Sequence, residues 1–236
     1  MNTWEIASFA SLQPPQPSDP RRVWEWRDDL QERGLMEHAI TVERGTGRIL
    51  HGHHRAAALQ SLGYEKVAVR LVDAAPGEPA EFTEPDCCVP LDRLKTRVFT
   101  VGVFDLFHLG HANLLKAAKR MGHYLIVGVQ YHAERYKDAR LCYTFDQRLD
   151  MIRSLRYVDL AVPYERVDEK IRELDFDIFA KGPDQEHAGF QRAMQFCAEC
   201  GRRVAIIPRT ENISASALRR GLAPGDSPPG EGARAA

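Results

Sequence analysis

Short apolar runs along the chain alternate with longer stretches whose apolar residues recur at helical spacing. Residues 98–103, with Val98, Phe99, Val101 and Val103, form one such run, and Leu114, Leu115 and Ala118 give residues 111–121 a helical pattern. The spacing predicts a strand, a tight turn and a helix. Downstream, the nearly continuous run YLIVGV at 124–129 predicts a buried parallel strand. The pattern then predicts a helix over 148–155 capped by Asp146, a strand at 158–162, a helix ending at 171–174 and a strand at 178–180. A helix at 187–200, a last strand at 204–207 and a terminal helix at 214–220 complete the series. Such alternation implies a parallel sheet covered by helices on both faces, with its ligand at the carboxyl ends of the strands.

The first 73 residues follow a different plan. Ser18 or Asp19 is placed to cap a helix that begins near Pro20, carries Val23, Trp24, Trp26 and Leu30, and stops at Gly34. Short strands at 39–42 and 48–50 flank a turn composition at 43–47. His51-Gly52-His53-His54-Arg55 leads into a helix with Ala57, Ala58, Leu59 and Leu62, closed by Gly63, and 67–72 is a final strand. Residues 74–90 are rich in Pro, Gly and Glu and show no periodicity, which reads as a connection. The expected division is a small domain over 1–75, a linker at 76–92, a second domain over 93–221 and a tail at 222–236. From Ala223 onward that tail lacks large apolar residues, so disorder is expected there.

With 236 residues, 44% hydrophobic and 28% charged, the chain can bury one good core or two small ones. The net charge of −1 carries no basic excess, so steering of the whole protein toward nucleic acid is excluded and any anion binding must be local. The opening MNTWEIASFASLQPP has an early Glu5 and neither a basic flank nor a long apolar run. Neither a signal peptide nor a membrane span is expected, and a cytoplasmic protein follows. Cys197 and Cys200 form a CxxC without a second such pair, and Cys87 and Cys88 are adjacent. Reduced thiols are expected rather than a four-ligand zinc site, and no protein metal ligand is assigned.

Candidate chemistry concentrates in residues 102–111, GVFDLFHLGH. Here backbone amides, a helix start and two imidazoles meet at the carboxyl end of a strand. Amides of a first helical turn lack intrahelical partners and the helix dipole favours anions, so phosphate is the expected ligand. His108 and His111 can aim ring nitrogens at one phosphate, and Gly110 between them lets backbone approach closely. This stretch resembles the nucleotidyltransferases that carry an HxGH signature, most closely their cytidylyltransferase branch, typified by glycerol-3-phosphate cytidylyltransferase. Residues 208–216, PRTENISAS, resemble that branch's second signature, Arg-Thr-x-x-Ile-Ser, with Asn212 where the family has Gly and Ala215 where it often has Thr. Lys137, Arg156 and Asp184 match further family positions by register.

The resemblance covers residues 97–220 and implies a Rossmann-like parallel-sheet nucleotidyltransferase domain. It implies catalytic roles for His108, His111, Lys137 and Arg209. It implies nucleotide contacts from Gly102, Val103, Phe104, Asp105, Gly110, Arg156, Asp184, Thr210, Ile213, Ser214 and Ser216. The implied reaction moves CMP from CTP to a small phosphorylated or phosphonate acceptor and releases pyrophosphate, with Mg²⁺ bound through the nucleotide phosphates. Asp105 is expected to fix the turn through backbone amides. CTP and the acceptor are the expected partners, without nucleic acid or membrane, and a homodimer is allowed.

Residues 47–59, GRILHGHHRAAAL, resemble the ParB/sulfiredoxin-like fold, including its free amino-acid kinases, which implies a small α+β domain with His53, His54 and Arg55 as phosphate-binding candidates. This chain has His51 where those kinases carry Asp, and Pro14-Pro15-Gln16 where they carry an acidic residue. A glutamine cannot take up a proton as a base, so phosphate binding rather than phosphoryl transfer is expected there. Three alternatives stand beside the cytidylyltransferase reading. One is adenylyl transfer to a sugar phosphate, whose enzymes share the HxGH turn and a Lys-Gly-x-Asp stretch like Lys181 to Asp184. The others are a bifunctional amino-acid kinase and cytidylyltransferase, and a nucleotide-sensing regulator. Arg209-Thr210 favours CTP.

Overall fold

The computed structural model describes residues 4–16, 19–73, 86–132, 141–211, 213, 215 and 218. The chain divides into two compact units, Met1–Thr96 and Arg97–Ala236.

The first unit runs β1 (Glu5–Ser8), α1 (Pro20–Arg33), β2 (Leu35–His38), β3 (Ile40–Glu43), β4 (Ile49–His51), α2 (His53–Ser61), β5 (Lys66–Val72), β6 (Asp86–Pro90) and α3 (Leu91–Leu94). Helix α1 starts and stops where the sequence says it should. Asp19 accepts the Arg21 N–H at 2.9 Å, Pro20 sits where no intrahelical bond is lost, and Gly34 closes the helix at a left-handed φ of 67°. Four strands pair in the order β1-β5-β3-β4, with β3 and β5 parallel and the outer pairs antiparallel. Ile40, Val42, Val67 and Val69 bury one face of this sheet with Leu30, Ala56 and Leu59, giving the expected α+β unit. At the β4–α2 turn Gly52 has φ +90°, and a Cβ there would come 2.7 Å from Ile40 Cγ2, so only glycine fits.

The expected linker at 76–92 and the domain start at 93 need correction. Asp86–Pro90 is a strand paired antiparallel with β2, Met36 opposite Val89, and Val89, Leu91 and Leu94 lie in the first unit's core. The unit boundary falls after Thr96. Residues 74–85 of the expected linker are outside the described residues.

The second unit runs β7 (Arg97–Gly102), α4 (Leu109–Lys119), β8 (Tyr124–Gln130), α5 (Phe145–Arg153), β9 (Leu160–Tyr164), α6 (Val167–Glu173), β10 (Ile178–Lys181), α7 (Ala188–Glu199) and β11 (Arg203–Ile206). All five strands are parallel, in the order β11-β10-β7-β8-β9. Successive residues of β7 feed opposite layers. Val98 packs with Leu115, Ala118, Leu149 and Ile152 of α4 and α5, while Phe99 and Val101 pack with Ile171, Phe190 and Ala193 of α6 and α7. Strands buried on both faces carry no polar alternation, which is why YLIVGV reads as one apolar run. The chain steps from β7 outward to β9 and then crosses back to β10, so strand order reverses beside β7, where open α/β sheets gather ligands.

Three local expectations shift. Thr144, not Asp146, caps α5: its hydroxyl accepts the Gln147 N–H at 3.3 Å while Gln147 Oε1 accepts the Thr144 N–H at 3.0 Å. Asp146 lies in the first turn, where its charge suits the dipole. Helix α4 begins at Leu109 rather than 111, and β9 begins at Leu160 rather than 158. The expected terminal helix at 214–220 is described at 215 and 218 alone, and the tail at 222–236 lies outside the described residues. Among the described residues, no helix is long and apolar enough to cross a membrane.

Candidate active site

A cleft of about 480 Å³ opens at the carboxyl ends of the second unit's strands. Its floor is the turn between β7 and α4. Phe104 and Leu106 adopt φ of 57° and 46°, a left-handed region that costs L side chains energy and persists only where surroundings impose it. Two buried charges impose it. Asp105, 1% exposed, accepts the N–H groups of Cys142 and Tyr143 at 3.1 and 3.0 Å. Arg148, also 1% exposed, donates through Nη1 to the carbonyls of Val103 and Gln130, 2.8 Å each. The Phe104 ring closes over Gly102, where a Cβ would sit 2.8 Å from Cζ. Asp105 thus holds amides of the segment before α5.

His108 is the N-cap of α4, and its Nδ1 accepts the Gly110 N–H at 3.1 Å. With that lone pair engaged, the proton of the neutral ring belongs on Nε2, which becomes a hydrogen-bond donor. Burial, and then the charge of Arg209, push the His108 pKa below the ordinary imidazole value, so the ring stays neutral near pH 7. Its ring stacks on that of His111, with centroids 3.9 Å apart and planes 18° from parallel, and His111 meets the Phe104 ring at 5.3 Å. Gly110 is required by this arrangement: a Cβ would come 2.9 Å from His108 Cε1.

The segment after β11 forms the facing wall. Arg209 lies 3.4 Å from Asp184, and both line the cleft. Asn113 of α4 donates to the Thr210 hydroxyl at 3.0 Å, and Ile213 lies against the Gly110 backbone. Gln185 fastens the turn after β10, accepting the Gly182 N–H at 2.8 Å and donating to the Val101 carbonyl at 3.1 Å. The buried Lys181 ammonium donates to the Gln185 carbonyl at 2.9 Å.

The fold thus brings together His108, His111, Gly102, Val103, Phe104, Asp105, Gly110, Asp184, Arg209, Thr210 and Ile213. Arg156 is not among them. It is exposed after α5, where its guanidinium donates to the Tyr157 hydroxyl at 2.8 Å and lies over that ring. Lys137, Ser214 and Ser216 lie outside the described residues. Sequence reasoning missed Arg148, Asn113 and Gln185. For Arg148 a signal existed, because it shares the inward stripe of α5 with Leu149 and Ile152.

In the first unit the phosphate-binding candidates His53, His54 and Arg55 form the start of α2. His53 accepts the Gln16 N–H on Nδ1 at 3.2 Å, and burial, then His54 and His51, lower its pKa. Arg55 is 3% exposed, donates to the His38 carbonyl at 2.9 Å and lies 5.2 Å from the Trp26 ring centre. These contacts make it a strut inside the unit.

The cytidylyltransferase-like family profile matches residues 99–221, from within β7 through the segment after β11. The chain belongs to the cytidylyltransferase-like family. It is therefore a nucleotidyltransferase, and the match leaves the first unit outside it. A glycerol-3-phosphate cytidylyltransferase of Staphylococcus aureus is 35% identical over 130 residues, covering 53% of this chain and 94% of that protein. An FAD synthase of Thermococcus kodakarensis is 36% identical over 98 residues, 39% of this chain and 66% of its own length. A solved lipopolysaccharide core biosynthesis protein of Thermoplasma volcanium aligns at 28% identity with a TM-score of 0.43, covering 50% of this chain and 99% of that one. All the expected cleft residues named above fall within the cytidylyltransferase-like stretch.

Proposed function

We propose that the second unit transfers CMP from CTP to a small phosphorylated or phosphonate acceptor. An acceptor oxygen attacks the α-phosphorus, an O–Pα bond forms, the bond from Pα to the β-bridging oxygen breaks, and pyrophosphate leaves with that electron pair. The observation that carries this reading is the His108 Nδ1 bond to Gly110, which leaves a neutral Nε2–H donor at a helix start beside a second imidazole. A phosphate acceptor, whose second pKa is about 6, already holds most of its charge at neutral pH, so it needs no general base. It needs donors fixed where charge builds up, and two imidazoles, a helix N-terminus and Arg209 supply them.

In this reading His108 and His111 hold the α-phosphate and the β-phosphate side, and Arg209 with Lys137, Ser214 and Ser216 holds the outer phosphates. Asp184 and Thr210 stand toward the nucleoside. Magnesium fits as an ion carried on the nucleotide's phosphate oxygens: the Asp105 carboxylate is committed to two amides, and among the described residues no three His, Cys, Asp or Glu cluster as ligands. When bound it neutralises triphosphate charge.

CTP is supported by the Arg209-Thr210 pair and by the similarity to a glycerol-3-phosphate cytidylyltransferase. The similarity to an FAD synthase favours adenylyl transfer as the second reading. Pyrophosphate release from each of four nucleoside triphosphates, tested with O-phosphoserine, glycerol phosphate and a simple phosphonate, separates them. Release with CTP is expected; preference for ATP establishes the second reading, and release with none favours a nucleotide sensor.

A further inference from the structure

The cleft has a second charged wall, apart from the histidine turn. Asp168 is 8% exposed and accepts from Arg192 Nε at 2.7 Å and from Arg166 Nη2 at 2.9 Å. Burial pushes the Asp168 carboxyl up, but the two guanidiniums, Arg192 ahead of Arg166, more than reverse this and keep it ionised. Arg166 also pairs with Glu169 at 2.9 Å. Arg166, Asp168 and Arg192 all line the cleft that His108 and Arg209 line.

Topology assigns this wall to a different ligand group. The described residues given to the nucleotide in the reading above come from the segments that follow β7, β10 and β11, whereas Arg166 and Asp168 follow β9 at the opposite edge of the sheet and Arg192 stands on α7. Arg192 spends its Nε on Asp168, and among the described residues no other hydrogen bond occupies its terminal nitrogens. Anchored at one edge and half exposed, its planar guanidinium is held in one orientation, with both terminal nitrogens left to face the two oxygens of a planar anion. Glu165 also lines this wall, with the His132 ring 3.4 Å from its carboxylate.

The acceptor's attacking phosphate must reach the α-phosphorus at the histidine turn, so the remainder of the acceptor is what meets the arginine wall. A polyol phosphate would present only hydroxyls to it. We propose that Arg192, oriented by Asp168 and flanked by Arg166, binds a carboxylate of the acceptor, which makes the acceptor a phosphorylated or phosphono carboxylic acid. This rests on the transfer reaction proposed above.

The test measures pyrophosphate release by the full chain at saturating CTP with four acceptors: 3-phosphoglycerate and O-phosphoserine, which carry a carboxylate, and glycerol 3-phosphate and phosphoethanolamine, which do not. The carboxylates should exceed the other two by roughly 10- to 100-fold in kcat/KM, the range for one charge-assisted hydrogen-bond pair. Arg192→Gln should remove that advantage by raising the acceptor KM while leaving the KM of CTP in place, and Arg192→Lys, with the charge but not the fork, should restore part of it. Equal use of glycerol 3-phosphate by the unaltered protein, or an Arg192→Gln loss shared equally by all four acceptors, overturns the inference. If the glutamine variant does not fold, the acceptor ratio of the unaltered protein and the lysine variant decide. Release with none of the acceptors and any nucleotide instead defeats the transfer reaction itself, and the carboxylate site with it.

Discussion

Gly110→Ala separates the chemistry of the histidine turn from its stability. The added methyl would sit 2.9 Å from His108 Cε1 and 3.0 Å from Nδ1, against an ordinary contact of 3.4–4 Å, so the imidazole must move by roughly half an ångström. It cannot retreat toward His111, whose ring already stacks at 3.9 Å, so it swings outward and breaks its bond to the Gly110 amide. Losing that bond costs about 1 kcal/mol, while alanine in place of glycine in a helix returns about 0.5–1 kcal/mol, so net stability changes by less than about 1 kcal/mol. Turnover responds differently, because removing one preorganised donor from a developing charge lowers kcat by roughly 10²- to 10³-fold. Steady-state pyrophosphate release beside a thermal melt measures both quantities. The substitution should act through His108 alone, so adding it to His108→Ala should lower kcat by less than about threefold more. A Gly110→Ala protein that turns over within about threefold of the parent, or whose effect adds in full to that of His108→Ala, refutes the assigned role of His108.

Arg148→Met strands two buried carbonyls and should lower the unfolding free energy by about 3 kcal/mol in urea titrations; a change below about 1 kcal/mol would show that Arg148 does not pin the turn. Arg55→Met should destabilise the first unit by about 2 kcal/mol without altering CTP affinity, and weakened CTP binding at unchanged stability would contradict its reading as a strut. The His108 ring should titrate by ¹³C–¹H NMR below 6.5, its ordinary value, with the proton of the neutral form on Nε2. Since the unfolded chain takes that proton more readily, His108 adds stability above pH 6.5 that is lost as pH falls through its lower folded pKa. A midpoint at or above 6.5 refutes the buried, neutral ring.

Much of the second unit was legible because its signals are local. The strand, turn and helix around His108 occupy one contiguous stretch, and parallel strands buried on both faces announce themselves as apolar runs. What escaped the sequence depends on partners far away along the chain. Asp86–Pro90 looks like a linker because it ends a stretch rich in Pro, Gly and Glu, and only pairing with β2 makes it a strand. Strand β1 is largely exposed and short, so its pattern carries no apolar face. Asp105 was recognised as a fixing residue, yet the amides that it holds lie 37 and 38 residues on. Arg148 and Asp168 are charges whose burial follows from packing, and polar residues on a helix read as solvent-facing until the opposing carbonyls or guanidiniums are in place. Arg55 shows the converse. A cation beside a helix start suggests a phosphate ligand, and only the folded unit shows that a carbonyl and an indole ring are its neighbours.

A crystal structure of the protein with CTP bound tests the central claim most directly. An α-phosphate oxygen should lie about 2.7–3.2 Å from His108 Nε2, with Nδ1 still accepting from Gly110 and the outer phosphates toward Arg209. A triphosphate seated away from the β7–α4 turn, or a His108 ring turned so that Nδ1 faces the phosphate, would contradict it.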